Sequence, residues 1–151
     1  MSFFTWTENM SVGSSIIDSD HRALINLINK VGDIASGKGN DEIGEVLDGL
    51  IAYVEYHFAR EEKMMTATGY ADVETHRSEH AGFTDHVYQL RRSFDLDSTA
   101  IDPHALAEYL KNWLNHHILI QDMGYKQQLE GHKAAETVGL EFGAGLAERE
   151  L

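Results

Sequence analysis

Four stretches of the chain carry hydrophobic residues every three or four positions, the spacing that places them on one face of an α-helix. Short breaks that contain Gly or Asp separate these stretches. The fourth opens on Asp102 and Pro103, an N-cap residue followed by proline at the first helical position, which is a strong start signal. The first predicted helix begins at Asp18 or Ser19, and the second runs from about 41 to 65. The third begins near Asp72 and the fourth at Asp102.

Long helices joined by short connections pack as antiparallel neighbours. The sequence therefore predicts an all-α fold, an antiparallel up-down-up-down four-helix bundle over residues 1–130. Residues 1–18 are too apolar for a free tail and too irregular for a helix, so we expect an N-terminal arm packed along the bundle. Residues 131–151 contain four glycines, which argues against a helix throughout, and we expect a C-terminal tail or a short extra helix there.

Six ligand-type side chains lie on the apolar helix faces, where Leu or Val would continue the pattern. They are His21, His57, Glu61, His76, His80 and His117. A single inward histidine is more often a satisfied core residue than a ligand, and each HxxxH or HxxxE spacing alone is weak. Burying such a group without a partner costs roughly 1–3 kcal/mol, and a bare carboxylate costs more. Since the sum would consume most of the ~5–15 kcal/mol of a domain's stability, the set predicts a shared metal site.

Asp122 follows His117 by five residues, which turns its side chain by about 140° along a regular α-helix. On such a helix Asp122 would point away from the other candidate ligands. A π-helical turn, with about 4.4 residues per turn, would bring the two side chains to within roughly 50° of each other. Because π-helical turns occur at functional sites, we predict one between His117 and Asp122.

Composition limits the partners and the chemistry. The formal net charge of -13 disfavours nucleic acid and anionic membranes, because both are polyanions. No stretch is apolar enough for a membrane span, and the N-terminus lacks the pattern of a secretion signal, so we expect a cytoplasmic protein. The chain has no cysteine, which excludes disulfides, thiolate metal sites and cysteine nucleophiles.

Four groups of residues resemble, in order and spacing, the hemerythrin family. They are W…VG…IDxxH from Trp6 to His21, HFxxEExxM from His57 to Met65, GY…HxxEHxxF from Gly69 to Phe83, and WLxxHIxxxD from Trp113 to Asp122. No single group is specific, but together they cover residues 6 to about 130. One departure lies beside a candidate ligand: Asp20 stands where Gln or Glu is usual. We expect Asp20 to alter hydrogen bonding near the metal site and so to change the rate at which the bound metal autoxidises.

The resemblance implies a non-haem centre of two iron ions, ferrous or ferric, with an oxo or hydroxo bridge. By position, one iron would be held by His76, His80 and His117, the other by His21 and His57, with Glu61 and Asp122 bridging the pair. The iron with two histidines would be one ligand short, and dioxygen binds at that vacancy in the family. The resemblance thus implies a reversible dioxygen carrier or store, with dioxygen held as peroxide, and no enzymatic activity.

The same resemblance suggests further roles around the irons. We expect Trp113, Leu114 and Ile118 to wall the dioxygen pocket and to exclude water from it. Either Tyr109 or Tyr125 is a candidate hydrogen-bond donor to a bridging carboxylate. The remaining histidines are expected at the surface: His86, His104, His116 and His132.

Two alternative functions stay open from the sequence. An oxygen or redox sensor would signal to a protein partner through residues 131–151. A weak di-iron oxidase or peroxidase of the ferritin-like kind would be rich in carboxylates and would use paired Glu-x-x-His motifs. The chain contains no Glu-x-x-His, and five histidines against two carboxylates favour oxygen binding over oxygen activation.

Overall fold

The computed structural model describes residues 3–38 and 42–126 and shows a four-helix bundle without strands in those ranges. Helix α1 spans Ser15–Ala35, α2 spans Ile43–Thr68, α3 spans Val73–Leu96 and α4 spans Pro103–His116. Helix α1 packs against α2 and α4, and α2 packs against α3. Across these ranges, no helix combines the length and the hydropathy needed to cross a membrane. The predicted all-α bundle is confirmed.

Helix α1 begins earlier than predicted because a different side chain caps it. Ser14 is the N-cap, and its hydroxyl accepts the backbone N–H of Ile17 at 3.4 Å. Asp18, one of the two predicted start positions, lies within the first turn and accepts the N–H of Val12 at 2.9 Å and the hydroxyl of Ser11 at 2.6 Å. The sequence identified a capping-type carboxylate, but that carboxylate anchors the preceding segment to the helix.

The other helix boundaries follow the sequence signals closely. Helix α3 begins directly after Asp72, and α4 begins at Pro103, with the Asp102 side chain accepting the N–H of His104 at 3.3 Å. Helix α2 continues past the predicted end as far as Thr68. It stops at Gly69, whose φ of 70° is a left-handed conformation that glycine adopts without strain.

An N-terminal arm lies along the bundle, as predicted, but it is shorter than residues 1–18, because α1 takes over at Ser15. Phe4 is 3% exposed, and its backbone pairs twice with the Asn29 side chain, at 2.7 and 2.9 Å. A short 3₁₀ turn, Glu8–Met10, follows before the chain enters α1. The predicted extension at residues 131–151 falls outside the described residues.

Two apolar clusters occupy the interior, and a polar layer separates them. The larger cluster includes Leu24, Val54, Phe58, Phe83 and Leu114, and the smaller one consists of Val12, Ile17, Met64, Met65 and Tyr125. On α1 and α2 the candidate ligands lie between members of the two clusters: His21 falls between Ile17 and Leu24, and His57 and Glu61 fall between Val54 and Met64. The bundle therefore encloses the polar layer from both ends.

Two exposed glycines give a matched test of the backbone assignment. Replacing Gly69 with alanine forces a side chain into the left-handed region and should destabilise the protein by about 1–2 kcal/mol. Gly82 lies on the exposed face of α3, where an added Cβ would meet no atom within 4 Å, and replacing it with alanine should stabilise the protein by roughly 0.5–1 kcal/mol. Urea unfolding of the two variants should shift in opposite directions, and a shift in the same direction would contradict the assigned conformations.

Candidate metal centre

All seven predicted ligand side chains converge in the polar layer, and none is more than 4% exposed. Helix α1 supplies one, α2 and α3 supply two each, and the segment that directly follows α4 supplies the last two. In chain order they are His21, His57, Glu61, His76, His80, His117 and Asp122. All but Asp122 come from positions that the hydrophobic pattern turns toward the bundle axis, and their side chains therefore meet at one point.

The predicted π-helical turn is confirmed, and it is what brings Asp122 inward. The backbone leaves α4 at His116, forms a π-helical turn over His117–Gln121 and then a 3₁₀ turn over Asp122–Tyr125. As a result, the Nε2 of His117 and the Oδ1 of Asp122 lie 3.0 Å apart, and both side chains are fully buried. The neighbouring His116 points to solvent.

The seven side chains form two donor groups that share both carboxylates. Within each group the possible ligand atoms all lie within 4.8 Å of one another. One group consists of Glu61, His76, His80, His117 and Asp122, and the other of His21, His57, Glu61 and Asp122. This arrangement can provide two adjacent metal positions that share Glu61 and Asp122. One position would have three histidines and the other two.

The donor atoms face one another closely. Asp122 places Oδ2 at 3.0 Å from His21 Nε2 and Oδ1 at 2.9 Å from His76 Nε2. Glu61 Oε1 lies 2.7 Å from His57 Nε2, and the Nε2 atoms of His80 and His117 are 3.3 Å apart. Despite these short distances, several of the buried atoms form no hydrogen bond among the described residues. They are Nε2 of His21, His57 and His76, Oε1 of Glu61, and both oxygens of Asp122.

Unpartnered polar atoms at the centre of a protein are costly, and here they are the atoms that a metal ion would coordinate. Imidazole nitrogens and carboxylate oxygens together suit first-row transition metals such as iron and zinc. The residues therefore fit a metal centre, because the buried atoms that lack a hydrogen-bond partner are the ones that a metal ion would bind.

Three histidines are contacted on the side away from the cluster. The Nδ1 of His57 lies 3.1 Å from Asp20 Oδ2, and the Nδ1 of His117 lies 2.5 Å from Gln121 Oε1. The Nδ1 of His80 lies 3.4 Å from a carboxylate oxygen of Glu62. Such contacts fix ring orientation and leave Nε2 free for a metal. The sequence singled out Asp20 as a residue that alters hydrogen bonding near the metal site, but it predicted neither the pairing of Asp20 with His57 nor the contacts of Gln121 and Glu62.

Of the two tyrosines proposed as donors to a carboxylate, Tyr125 makes the contact. Its hydroxyl donates to Glu61 Oε2 at 2.5 Å, and the residue is 1% exposed. Tyr109 is 37% exposed, and its ring packs against Phe83 and His86. The hydrogen bond from Tyr125 holds one oxygen of Glu61 and leaves the other facing the histidines.

The walls beside the cluster are aromatic and aliphatic. The ring of Phe58 stacks on His80 at 3.8 Å between centroids, and the ring of Trp113 stacks on His117 at 4.7 Å. Leu114 and Ile118 are buried in the larger apolar cluster. A cavity of about 10 Å³ lies beside Trp113 and Leu114. Its lining is entirely apolar: Leu24, Ile28, Leu50, Val54, Phe83, Leu110, Trp113 and Leu114.

The other described histidines are exposed or partly buried. His104 and His116 are exposed, as predicted. His86 was also predicted at the surface, but it is partly buried because its ring packs against Tyr109 with centroids 4.7 Å apart. His132 lies outside the described residues.

In the metal-free chain, the buried charges shift one another. Burial alone would lower the pKa of His57, but Glu61 and Asp20 raise it from 6.5 to about 10. Burial and Glu61 act to raise the pKa of Asp122, but His117 and His21 outweigh them and lower it from 3.8 to about 2. Without a metal ion, His57 is therefore protonated and Asp122 ionised near neutral pH.

A metal ion must displace those protons, which makes its binding depend on pH. Because the pKa of His57 is raised to about 10, apparent affinity for Zn²⁺ or Co²⁺ should rise about tenfold per pH unit for each displaced proton below that pH. Calorimetric titration in buffers of different ionisation enthalpy would count the protons released. Affinity that is flat between about pH 6 and pH 8 would contradict the raised pKa.

The same shifts set how stability of the metal-free protein depends on pH. The raised pKa of His57 stabilises the fold fully below pH 6.5, and this contribution is lost as pH rises through about 10. The lowered pKa of Asp122 stabilises the fold above pH 3.8 and is lost as pH falls through about 2. Urea unfolding in the presence of a chelator should therefore show lower stability at about pH 9 than at about pH 5. A rise in stability over that interval would refute the assignment.

The comparisons with known proteins agree with this geometry. The family model described as "Hemerythrin HHE cation binding domain" matches residues 12–129. A bacteriohemerythrin of Pseudomonas aeruginosa (strain LESB58) is 31% identical over 138 residues, covering 91% of this chain and 88% of its own. One from Methylococcus capsulatus is 31% identical over 119 residues, covering 78% and 90%. The crystal structure of a wild-type hemerythrin superposes with a TM-score of 0.77 at 32% identity, covering 85% of this chain and 98% of its own. With the family model spanning most of the bundle and relatives at this level of identity, the chain belongs to the hemerythrin family.

Proposed function

We propose that this chain binds dioxygen reversibly at a pair of iron ions and serves as a carrier or store. The chain belongs to the hemerythrin family, whose members bind metal and have oxygen-related functions. The observation that carries the proposal is the sharing of Glu61 and Asp122 between two donor groups of unequal size. Two shared carboxylates are suited to bridging two ions, and the unequal histidine count makes the two positions different.

The inequality leaves room for a small ligand. The ion held by His76, His80 and His117 would receive five protein ligands once Glu61 and Asp122 are counted, and the ion held by His21 and His57 would receive four. A metal position with fewer protein ligands keeps a coordination site open. Iron at these positions would supply reversible dioxygen binding through its ferrous and ferric states.

The protein's own contribution is to hold the donors and to keep the site dry. Tyr125 fixes Glu61 through its hydrogen bond, and Gln121 fixes the ring of His117. Trp113 and Leu114 line the apolar cavity, and Ile118, with no exposed surface, packs beside them. We propose these three as the dioxygen pocket, since apolar walls admit a neutral diatomic molecule more readily than water or ions.

The alternatives gain less support from the described residues. Five histidines and two carboxylates form the cluster, whereas ferritin-like oxidases and oxygenases draw on several glutamates. We therefore propose a binding role and no enzymatic one. A sensing role would depend on residues 131–151, which lie outside the described ranges, as would a protein partner bound by that tail.

Anaerobic reconstitution with ferrous iron tests the proposal. Two iron ions per chain should bind, and air should produce a visible absorption band that disappears on deoxygenation and returns over repeated cycles. The variant Asp122→Ala should lose the second iron and the band, because it removes a carboxylate common to both positions. The matched control, His104→Ala, changes an exposed histidine on α4 and should behave like the wild type.

Other results would refute this function. Uptake of one iron per chain would contradict the paired site. Two irons that oxidise irreversibly on the first exposure to air would contradict carriage and storage, and would favour catalysis or sensing.

A further inference from the structure

We propose that Arg60 and Asp20 form a buried, charge-paired positioning unit behind His57 that sets the ferrous-to-ferric balance of the metal ion held there. The inference rests on the proposed function in requiring a redox-active metal at the cluster. Neither residue belongs to the seven candidate ligands. Asp20 immediately precedes His21 on α1, and Arg60 immediately precedes Glu61 on α2, so the pair connects two helices directly beside the four-ligand position.

The contacts form a continuous chain from Arg60 to the cluster. One guanidinium nitrogen of Arg60, Nη1, lies 2.9 Å from Asp20 Oδ1 and 3.0 Å from Oδ2. Asp20 Oδ2 also lies 3.1 Å from His57 Nδ1, and His57 Nε2 faces Glu61 at 2.7 Å. Asp20 is 4% exposed and Arg60 is 6% exposed. The guanidinium lies over the ring of Tyr56 at 4.4 Å, which holds it in place.

Stability alone is a poor explanation for this pair. Removing two charges from water is costly, and a buried ion pair often stabilises a fold no more than apolar residues of similar size would. The pair is also incompletely satisfied, since the buried Nε of Arg60 has no hydrogen-bond partner among the described residues. A role in orienting and polarising His57 accounts for the position of the pair as well as its charge.

The contacts behind the other histidines differ in charge. Behind His117 the acceptor is the neutral amide of Gln121. Behind His80 lies a carboxylate oxygen of Glu62 at ion-pair distance, 3.4 Å from Nδ1, and Glu62 is 25% exposed and therefore partly screened by solvent. Only at His57, among the described contacts of this kind, is a buried carboxylate countered by a buried cation. The distinctive charge arrangement thus lies on the side with fewer protein ligands.

The two charges act on the metal ion in opposite directions. A carboxylate that accepts the N–H of a coordinated imidazole increases the electron donation of that ring, and its negative charge favours the ferric ion. The guanidinium withdraws part of that effect, since it is always positively charged at ordinary pH and lies against the same carboxylate. Asp20 therefore favours the oxidised metal, and Arg60 opposes it.

Redox titration of the iron-loaded protein under anaerobic conditions is the test, with Asp20→Asn and Arg60→Met as the two single variants. Asp20→Asn should raise the midpoint potential, and Arg60→Met should lower it. Asp20→Asn/Arg60→Met, which removes both charges, should return close to the wild-type value. A general loosening of the fold would not move the two single variants in opposite directions.

Metal affinity gives a readout that does not involve dioxygen. Titration with Co²⁺ should show that Asp20→Asn weakens one of the two bound ions by about 10- to 100-fold and leaves the other unchanged. Asp20→Glu keeps the carboxylate and should recover part of that loss. Should Arg60→Met fail to fold because it leaves Asp20 unpaired, Arg60→Lys retains the positive charge and should keep the wild-type midpoint potential.

Arg91→Met is the matched control. Arg91 also forms ion pairs, with Asp48 and Asp95 at 3.2 Å, but it lies about 16 Å farther along α3 than His80. Its removal should leave the midpoint potential and both Co²⁺ affinities unchanged.

The outcomes separate this inference from the proposed function. Shifts of opposite sign in a protein that binds two irons but never releases dioxygen would support the role of Arg60 and Asp20 and refute dioxygen carriage. Unchanged potentials, or shifts of the same sign, in a protein that carries dioxygen normally would overturn only the role of the pair. A wild-type chain that binds no metal would overturn both.

Discussion

Burial of seven ionisable side chains between two apolar clusters is the constraint on which the rest of the structure depends. Histidines and carboxylates at the centre of a bundle lose their hydration, and the loss must be offset within the protein or by a bound ion. The chain offsets it locally by setting imidazoles against Glu61 and Asp122. Protons can satisfy this arrangement, and so can metal ions. The fold and the function are therefore linked through one set of contacts.

The same constraint explains why the end of α4 departs from regular geometry. A regular helix would bury His117 and turn Asp122 outward, which would leave the cluster with a single carboxylate. The π-helical turn over His117–Gln121 places both side chains inward and puts Gln121 behind the ring of His117. The irregular segment thus supplies two candidate ligands, one of them a carboxylate common to both donor groups, and an outer contact within six residues of chain.

The sequence predicted the features that have a period or a recurring local signal. The helical spacing of apolar residues placed six inward side chains, and the five-residue gap to Asp122 predicted the π-helical turn. Asp102 and Pro103 fixed the start of α4. The predicted start of α1 was wrong because Ser14 and Asp18 can each cap a helix, and only the folded arm shows that Asp18 is engaged with Val12.

The outer contacts could not be predicted, because they join residues distant in sequence that follow no periodic rule. Asp20 stands out in the sequence as an unusual residue, but its partner Arg60 lies forty positions away on another helix. Tyr125 and Tyr109 are equivalent candidates until the path of the chain beyond α4 places Tyr125 against Glu61. Composition and spacing therefore do not specify which charged residues pair with one another at the centre of the folded bundle.

Anomalous X-ray diffraction at the iron edge, from crystals grown after anaerobic loading, would locate the iron ions relative to the seven side chains. We expect two peaks inside the bundle, both adjacent to Glu61 and Asp122, with one beside His76, His80 and His117 and the other beside His21 and His57. A single peak, peaks only at the surface, or a bundle that folds with no metal in this layer would contradict a paired metal centre.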